Sequence, residues 1–402
     1  MAVHAKLSAS GAKKWLNCPP SAELEQGFPN SSSVYADEGT HAHSLGEIKI
    51  YESLKLPFTG EKKYNKMKIM RLIDKAMGNK FYCEEMNEAT QEYADLVFSK
   101  YAEALQKTKD AVILLEERLD FSKWVPQGFG TGDVVIVSDG CIEIVDLKYG
   151  KGVPVSADEN PQMMLYALGA IAKYELLYDL SDVKMTICQP RLDSVSTYEM
   201  SVVELLVWGE EYVKPRAQMA IKGEGEYSPG EDTCRWCRAK ALCKARADFM
   251  MAMVDQDFTD AKLISDNDVT NYLELAPQIL KWAKDIQEYA FEQAEKHGKK
   301  WIGWKLVEGK SNRKYLDEIK VADLLKKEGY VVAKIYEPQT LLGITALEKA
   351  ITKKQFNALL SDLVIKPTGK PTLVPESDKR DEICSTASAE SDFGPVDESL
   401  LD

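Results

Sequence analysis

From residue 111 the sequence leaves helical spacing and becomes three short β-rich runs, two of which carry acids where strands begin or end. The runs are Ala111 to Leu119, Asp133 to Ser138 and Cys141 to Leu147, separated by Gly128-Phe-Gly-Thr-Gly132 and by the turn Ser138-Asp139-Gly140. The last two are expected to form a hairpin. Asp133 opens the second strand and Asp146-Leu147-Lys148 closes the third. Side chains two apart on a strand share a face, so Asp146 and Lys148 emerge together, and Asp133 on the paired strand can lie beside them. Two carboxylates and an ammonium then converge. Hard oxygen ligands suit Mg²⁺ or Mn²⁺, which polarise a phosphodiester and acidify bound water, and a nearby lysine can orient that water. A D-x-K tripeptide alone is common and is usually a solvated strand end, so its surroundings decide.

Those surroundings carry matching groups. Upstream, Gly39-Thr40-His41-Ala42-His43 leads into Glu47, with His43 and Glu47 four apart on one helical face, where an imidazole can complete a metal shell. His41 reads as a surface or satisfied histidine. Downstream, Gln162 and Tyr166 are also four apart, on a helix expected from Pro161 to about Leu177, although a buried tyrosine on an ordinary helix face would look the same. Glu116, with Glu117 in the first strand, is either a further ligand or a solvated charge. A further apolar strand, Val183 to Gln189, completes an order of helix, three strands, helix, strand.

The ordered set G-T-x-x-H, G-x-x-D, D-x-K, Q-x-x-x-Y resembles the motifs of RecB-like nucleases of the PD-(D/E)XK superfamily, and the element order is similar to their shared core. The resemblance covers about residues 39 to 166. It implies an α/β fold with a restriction-endonuclease-like core, a mixed central sheet flanked by helices. It implies that His43, Asp133 and Asp146 ligate a divalent metal, with the Leu147 carbonyl assisting. Lys148 would then position the attacking water, and Gln162 and Tyr166 would support the site or contact DNA.

The cysteines point to a second metal. Eight cysteines in a chain of this length, read as intracellular, are not expected to form a disulfide framework, because the cytosol keeps thiols reduced. Cys234-Arg-Trp-Cys237 with Cys243 gives C-x2-C-x5-C, which lacks a fourth thiolate. The segment from Leu7-Ser-Ala-Ser10 through Trp15-Leu-Asn-Cys18-Pro19 is similar to the N-terminal cysteine segment of RecB-like nucleases with an iron-sulfur staple, including helicase-nuclease subunits and CRISPR-associated exonucleases. That resemblance implies a 4Fe-4S cluster on Cys18, Cys234, Cys237 and Cys243, and Zn²⁺ at the same four thiolates is the alternative. Cys83, Cys141, Cys188 and Cys384 have no partner at ligand spacing. Arg235, Arg238, Lys240, Lys244 and Arg246, with Trp236, read either as a phosphate-contacting patch or as a basic solvated helix end.

The length allows more than one core. Residues 1–255 are expected to form the nuclease domain with a helical N-terminal part, 256–365 a smaller α+β accessory domain, and 366–402 an acidic, disordered tail. Within the accessory domain a strand pair is expected over Trp301 to Glu308, with helices over Ile319 to Glu328 and Lys353 to Leu363. A net charge of −13 argues against a uniformly basic nucleic-acid surface, but residues 376 to 402 hold nine acids against Lys379 and Arg380, so more than half of that charge sits in the tail. No apolar run reaches the roughly 18 residues of a membrane span, and no secretory h-region opens the chain, so a cytoplasmic protein of a bacterial or phage-infected host cell is expected. The whole chain also resembles an uncharacterised phage- and prophage-associated group of such nucleases. The expectation is a Mg²⁺- or Mn²⁺-dependent DNA exonuclease of recombination, repair or phage replication. Its further partners would be a single-strand binding protein, a polymerase or a helicase. The rivals are a non-catalytic DNA-binding scaffold that keeps the fold, and a hydrolase of RNA or nucleotides.

Overall fold

The computed structural model describes residues 5–29, 34–54, 66–254, 266–305, 307, 318–327, 344 and 356. The expected helix over Lys353 to Leu363 and the acidic tail lie outside these, apart from the single helical residue Phe356. Compactness divides the chain into two units. The larger is Met1–Lys262 with Pro277–Leu341, so it takes in residues expected in an accessory domain. The smaller is Leu263–Ala276 with Leu342–Asp402. Every described residue of the smaller unit is helical.

The larger unit is built on one five-stranded sheet in chain order: β1 (Val112–Asp120), β2 (Phe129–Ser138), β3 (Gly140–Leu147), β4 (Leu180–Gln189) and β5 (Ser194–Ser201). β1, β2 and β3 run antiparallel, β3 and β4 are parallel, and β5 returns antiparallel. The parallel pair requires a crossover, which the helix Pro161–Tyr174 supplies. Helices precede the sheet: α1 (Ala12–Asn17), α2 (Ser21–Leu24), α3 (Val34–Leu54), α4 (Lys66–Met77) and α5 (Glu84–Lys107). The crossover helix is α6; α7 (Val202–Val207) and α8 (Lys214–Lys222) follow, joined by a π-helical turn over Trp208–Val213. α9 (Glu231–Arg235), α10 (Lys244–Val254), α11 (Asp266–His297) and α12 (Glu318–Lys327) complete the described elements. The result is a mixed α/β fold with a sheet flanked by helices and a helical N-terminal part.

Strand alternation distributes two cores. Val135 and Val137 of β2 with Ile142 and Ile144 of β3 face α6 and the N-terminal helix residues Trp15 and Leu16. Val134, Ile136, Val145 and Leu147 face the other way, onto Leu45 and Ile50 of α3 and Met86, Tyr93 and Val97 of α5. Both faces are therefore covered, as a sheet with a parallel pair demands. Each buried aliphatic side chain here contributes about 1.5–3 kcal/mol. α6 lies close to β1 because Gly169 has no side chain: a Cβ there would sit 2.9 Å from the Cβ of Leu119.

Most expected elements are present, with shifted bounds. α6 ends earlier than expected, at Tyr174. β2 begins at Phe129, so Asp133 is within the strand and not at its start. β5 and α4 were not foreseen. The strand pair expected over Trp301 to Glu308 does not form in the described residues 301–305. Instead Trp301 donates from Nε1 to the carbonyl of Ala290 at 2.9 Å and meets Tyr289 edge-on, which ties the segment to α11. Among the described residues no helix is long and apolar enough to cross a membrane.

Candidate functional site: a carboxylate–lysine–glutamine network and a four-cysteine pocket

The sheet opens where β2 and β3 part. Their ladder pairs Val134 with Val145 and stops there, so the next residues, Asp133 and Asp146, are not paired with each other, while Asp146 stays paired with Ile187 of β4. The Asp133 carboxylate takes over part of the lost ladder by accepting from the Leu147 N–H at 2.8 Å. β3 stays anchored on its other side, where the Lys148 N–H donates to the Cys188 carbonyl at 2.8 Å. Two acids thus arise side by side at a sheet opening that both neighbouring strands hold rigid.

Helices bring the remaining groups. α6 starts sharply because Asn160 caps it, accepting from the N–H groups of Gln162 and Met163, with Pro161 at the first helical position. That fixes Gln162 at the helix start, facing the acids. Gln162 donates from Nε2 to Asp146 Oδ1 at 3.2 Å and lies 3.3 Å from the Tyr166 hydroxyl, while its Oε1 accepts from Lys148 Nζ at 3.1 Å. From the opposite face α3 brings His43, whose Nδ1 is 3.1 Å from Asp133 Oδ2. The six side chains expected from the sequence, His43, Asp133, Asp146, Lys148, Gln162 and Tyr166, therefore meet in one network. Leu147 joins through its backbone, with its side chain fully buried. His41 turns away, its Nε2 3.1 Å from the Ala76 carbonyl.

The two acids are pushed apart in proton affinity. Burial opposes the charge of Asp133, but His43 and the Leu147 N–H outweigh it and hold that carboxyl below the ordinary range. At Asp146 burial prevails over Lys148, and the presence of Asp133 adds to it, so its pKa rises. Burial works against the charge of His43, yet Asp133 and Asp146 raise its pKa to about 9. Lys148 is likewise held charged by Asp146 against its burial.

The Asp146 carboxylate is buried, with Lys148 Nζ 2.9 Å from its Oδ2 as the positive charge that faces it. A buried carboxylate is costly unless positive charge and donors complete it, and Lys148 and Gln162 do so here. The donor set around it, carboxylate oxygens and an imidazole, suits a hard divalent cation. Among the described residues no three His, Cys, Asp or Glu side chains are already drawn into a finished metal cage. A cation would thus have to displace the His43–Asp133 contact as it is taken up.

Sequence reasoning missed two contributors. Tyr93 of α5 is fully buried, its hydroxyl has no hydrogen-bond partner, and Asp133 and Asp146 are among its electrostatic neighbours. Its helix position reads only as core. Gly130 is needed because a Cβ there would lie 2.5 Å from the Tyr166 ring; its place in the Gly-rich run was visible, but the reason was not.

The second site lies between the chain's early and later segments. Cys18, Cys234, Cys237 and Cys243 line one pocket, with Tyr227, Ser228 and Thr233. Cys18 ends α1, and the N–H groups of Ser228 and Ser21 approach its sulfur, although burial still raises its pKa. Burial, with Glu25 nearby, pushes the Cys237 thiol up to about 12. Protons must leave these sulfurs before a soft metal is held, and four sulfurs at one pocket suit either iron-sulfur or zinc. Polar links fasten the two segments independently of the sulfurs. Lys13 pairs with Asp232 at 2.7 Å, Arg216 donates to the Leu16 carbonyl at 3.0 Å, and Arg238 donates to the Phe28 carbonyl at 2.9 Å. The cysteines Cys83, Cys141 and Cys188 lie elsewhere and are free, as are the four at the pocket.

Two of the basic residues around this pocket, Lys240 and Arg246, are spent on an internal acid. Arg246 is buried and pairs with Asp285 of α11 at 2.7 Å, Lys240 meets the same acid at 2.9 Å, and Lys244 pairs with Asp248. Lys244 and Arg238 remain exposed, and Arg235 lies over the exposed Trp236 ring at 5.7 Å.

A solved protein titled "Crystal structure of SSO0001" matches 57% of this chain and 95% of its own, at 14% identity and a TM-score of 0.21. Residues 4–381 match the family described as "Protein of unknown function (DUF2800)", and the chain belongs to that family.

Proposed function

We propose that the chain is a metal-dependent DNA nuclease with a PD-(D/E)XK core of the RecB-like kind. The observation that carries this reading is the convergence of two buried acids, Asp133 and Asp146, with Lys148 and Gln162 at one sheet opening. Clustered buried acids destabilise a fold that does not use them, so a purely structural account leaves them unexplained. His43, Asp133, Asp146 and the Leu147 carbonyl would hold Mg²⁺ or Mn²⁺. When bound, such an ion polarises a phosphodiester and stabilises charge developing on it.

The chain's own residues do the rest. Gln162 holds Asp146 and Lys148 in one orientation, accepting from one and donating to the other. Lys148 remains charged and can orient a water or offset charge gathering on the phosphate. Tyr166, packed against Gly130, keeps Gln162 from turning away. The four-cysteine pocket is assigned a 4Fe-4S cluster, or Zn²⁺, that ties the N-terminal segment to residues 234–243. Its role is to hold the fold, since no described contact links it to the acids.

Cleavage of end-labelled linear DNA by anaerobically purified protein tests this, with Mg²⁺, Mn²⁺ or a chelator, and with RNA as competitor. Cleavage that requires the metal and resists RNA competition is expected. If the protein binds DNA yet leaves it intact with either metal, a scaffold role replaces the enzyme.

A further inference from the structure

We propose that Arg191 and Lys151 form a seat for a backbone phosphate of the nucleic acid beside the acid site, and that the Glu85 carboxylate occupies this seat in the free protein. This deepens the reading above and rests on it. The seat lies where β3 and β4 end together. Leu147 pairs with Cys188 at the last step of the parallel ladder, Tyr149 follows Lys148 directly, and Arg191 comes three residues after Cys188. Lys151 is carried by the loop after Tyr149, which the buried Gln189 holds in shape. Gln189 Nε2 donates to the carbonyls of Gly150 at 2.6 Å and Val153 at 2.9 Å, and its Oε1 accepts from the Val155 N–H at 3.1 Å. A Cβ built at Gly150 or Gly152 would find nothing within 4 Å, so open space adjoins the loop.

Two cations from separate loops converge on one carboxylate. Lys151 Nζ is 2.7 Å from Glu85 Oε1, and Arg191 Nη2 is 3.0 Å from Glu85 Oε2, so each oxygen is held by a different cation, as two oxygens of a phosphate would be. Arg191 is oriented in advance. Nine-tenths of its side chain is buried, its guanidinium lies 4.5 Å from the centre of the Tyr149 ring, and Nη1 is 3.3 Å from Glu38 of α3, the helix that carries His43. Stability does not require the contact between Lys151 and Glu85: both side chains are about half exposed, and such pairs contribute about 0–1 kcal/mol. The cluster also has donors to spare, since Arg191 Nε and the Tyr149 hydroxyl are buried without a hydrogen-bond partner. Spare donors, and a surface carboxylate held by two cations, fit an oxyanion that arrives from solvent and displaces Glu85.

Binding of a labelled DNA duplex to the full chain, followed by fluorescence anisotropy in a chelator over a range of KCl concentrations, tests the proposal without depending on the metal. Lys151→Ala and Arg191→Ala should each weaken binding and reduce the slope of log affinity against log salt by about 1. Lys151 is exposed, so its variant keeps the test open if Arg191→Ala fails to fold. Glu85→Gln should instead bind about two- to fivefold more tightly, the equivalent of one exposed ion pair that no longer has to be broken. That gain should shrink when Lys151→Ala is added to the same chain. If wild type binds DNA while the folded Lys151 and Arg191 variants keep its affinity and salt slope, the cluster only ties the loops to α3 and α5 and the inference is wrong. Binding by Glu85→Gln no tighter than wild type would likewise overturn it, because Glu85 would not be standing in the seat. If wild type itself binds no DNA, the inference falls together with the reading it rests on.

Discussion

At the carboxylate site, Asp133, Asp146 and Lys148 are fixed by adjacent strands and by hydrogen bonds through Leu147 and Gln162. At the cysteine pocket, Cys18 is brought to Cys234, Cys237 and Cys243 by segments more than two hundred residues apart; Leu7, Trp15 and Leu16 pack the N-terminal segment into the core, and ion pairs and a few backbone contacts add to it. Exposed ion pairs contribute only about 0–1 kcal/mol each. Both sites are therefore assembled by the fold, but under the proposed reading a metal at the cysteines would cross-link distant segments, whereas a cation at the acids would not. Damage to the first should cost chemistry and leave stability intact. Damage to the second should cost stability first and chemistry only as a consequence.

The largest effect expected is on the cysteine side. Cys237→Ala removes a buried thiolate ligand and should lower the unfolding temperature by on the order of 10 °C, with loss of bound metal. Calorimetry with metal analysis reads both. An unchanged midpoint would mean that core packing and the polar links hold the N-terminal segment without a metal, and the contrast between the sites would disappear.

Gly130→Ala tests the opposite half. Its Cβ collides with the Tyr166 ring, so Tyr166 and Gln162 must move. A displacement of that kind costs roughly 10²-fold in kcat, while metal at the cysteines is retained. Single-turnover cleavage measures it, and normal turnover would remove Tyr166 and Gln162 from the site.

A smaller effect follows from His43. Its pKa in the fold is about 9 against an ordinary 6.5, so the imidazolium stabilises the metal-free protein fully below pH 6.5 and progressively less as pH rises through 9. The unfolding temperature of metal-free protein should fall across that window. A cation competes for the same nitrogen lone pair, so Mn²⁺ affinity should rise over the same range, by up to about tenfold per pH unit. Flat affinity between pH 7 and 9 would show that His43 is not a ligand.

The parts legible in the sequence were those governed by short-range periodicity. Asp146 and Lys148 share a strand face at a spacing of two, Gln162 and Tyr166 share a helix face at four, and the Asn160-Pro161 cap is a local signal. What required three dimensions was less visible. The need for glycine at Gly130 is set only by the ring of a residue on another element. β5 was missed because Ser194 to Ser201 carries small and polar residues on a strand that buries little. Lys240 and Arg246 read as surface charges because Asp285, their internal partner, lies far along the chain.

Asp146→Asn on the same end-labelled DNA, with unfolding temperature and cysteine-site metal content measured on the same preparation, tests the central claim most directly. The account predicts cleavage reduced on the order of 10³-fold, with the unfolding temperature not lowered and the cysteine-site metal retained. Cleavage at the wild-type rate by this variant would contradict it, because Asp146 is the carboxylate that Lys148 and Gln162 hold at the sheet opening.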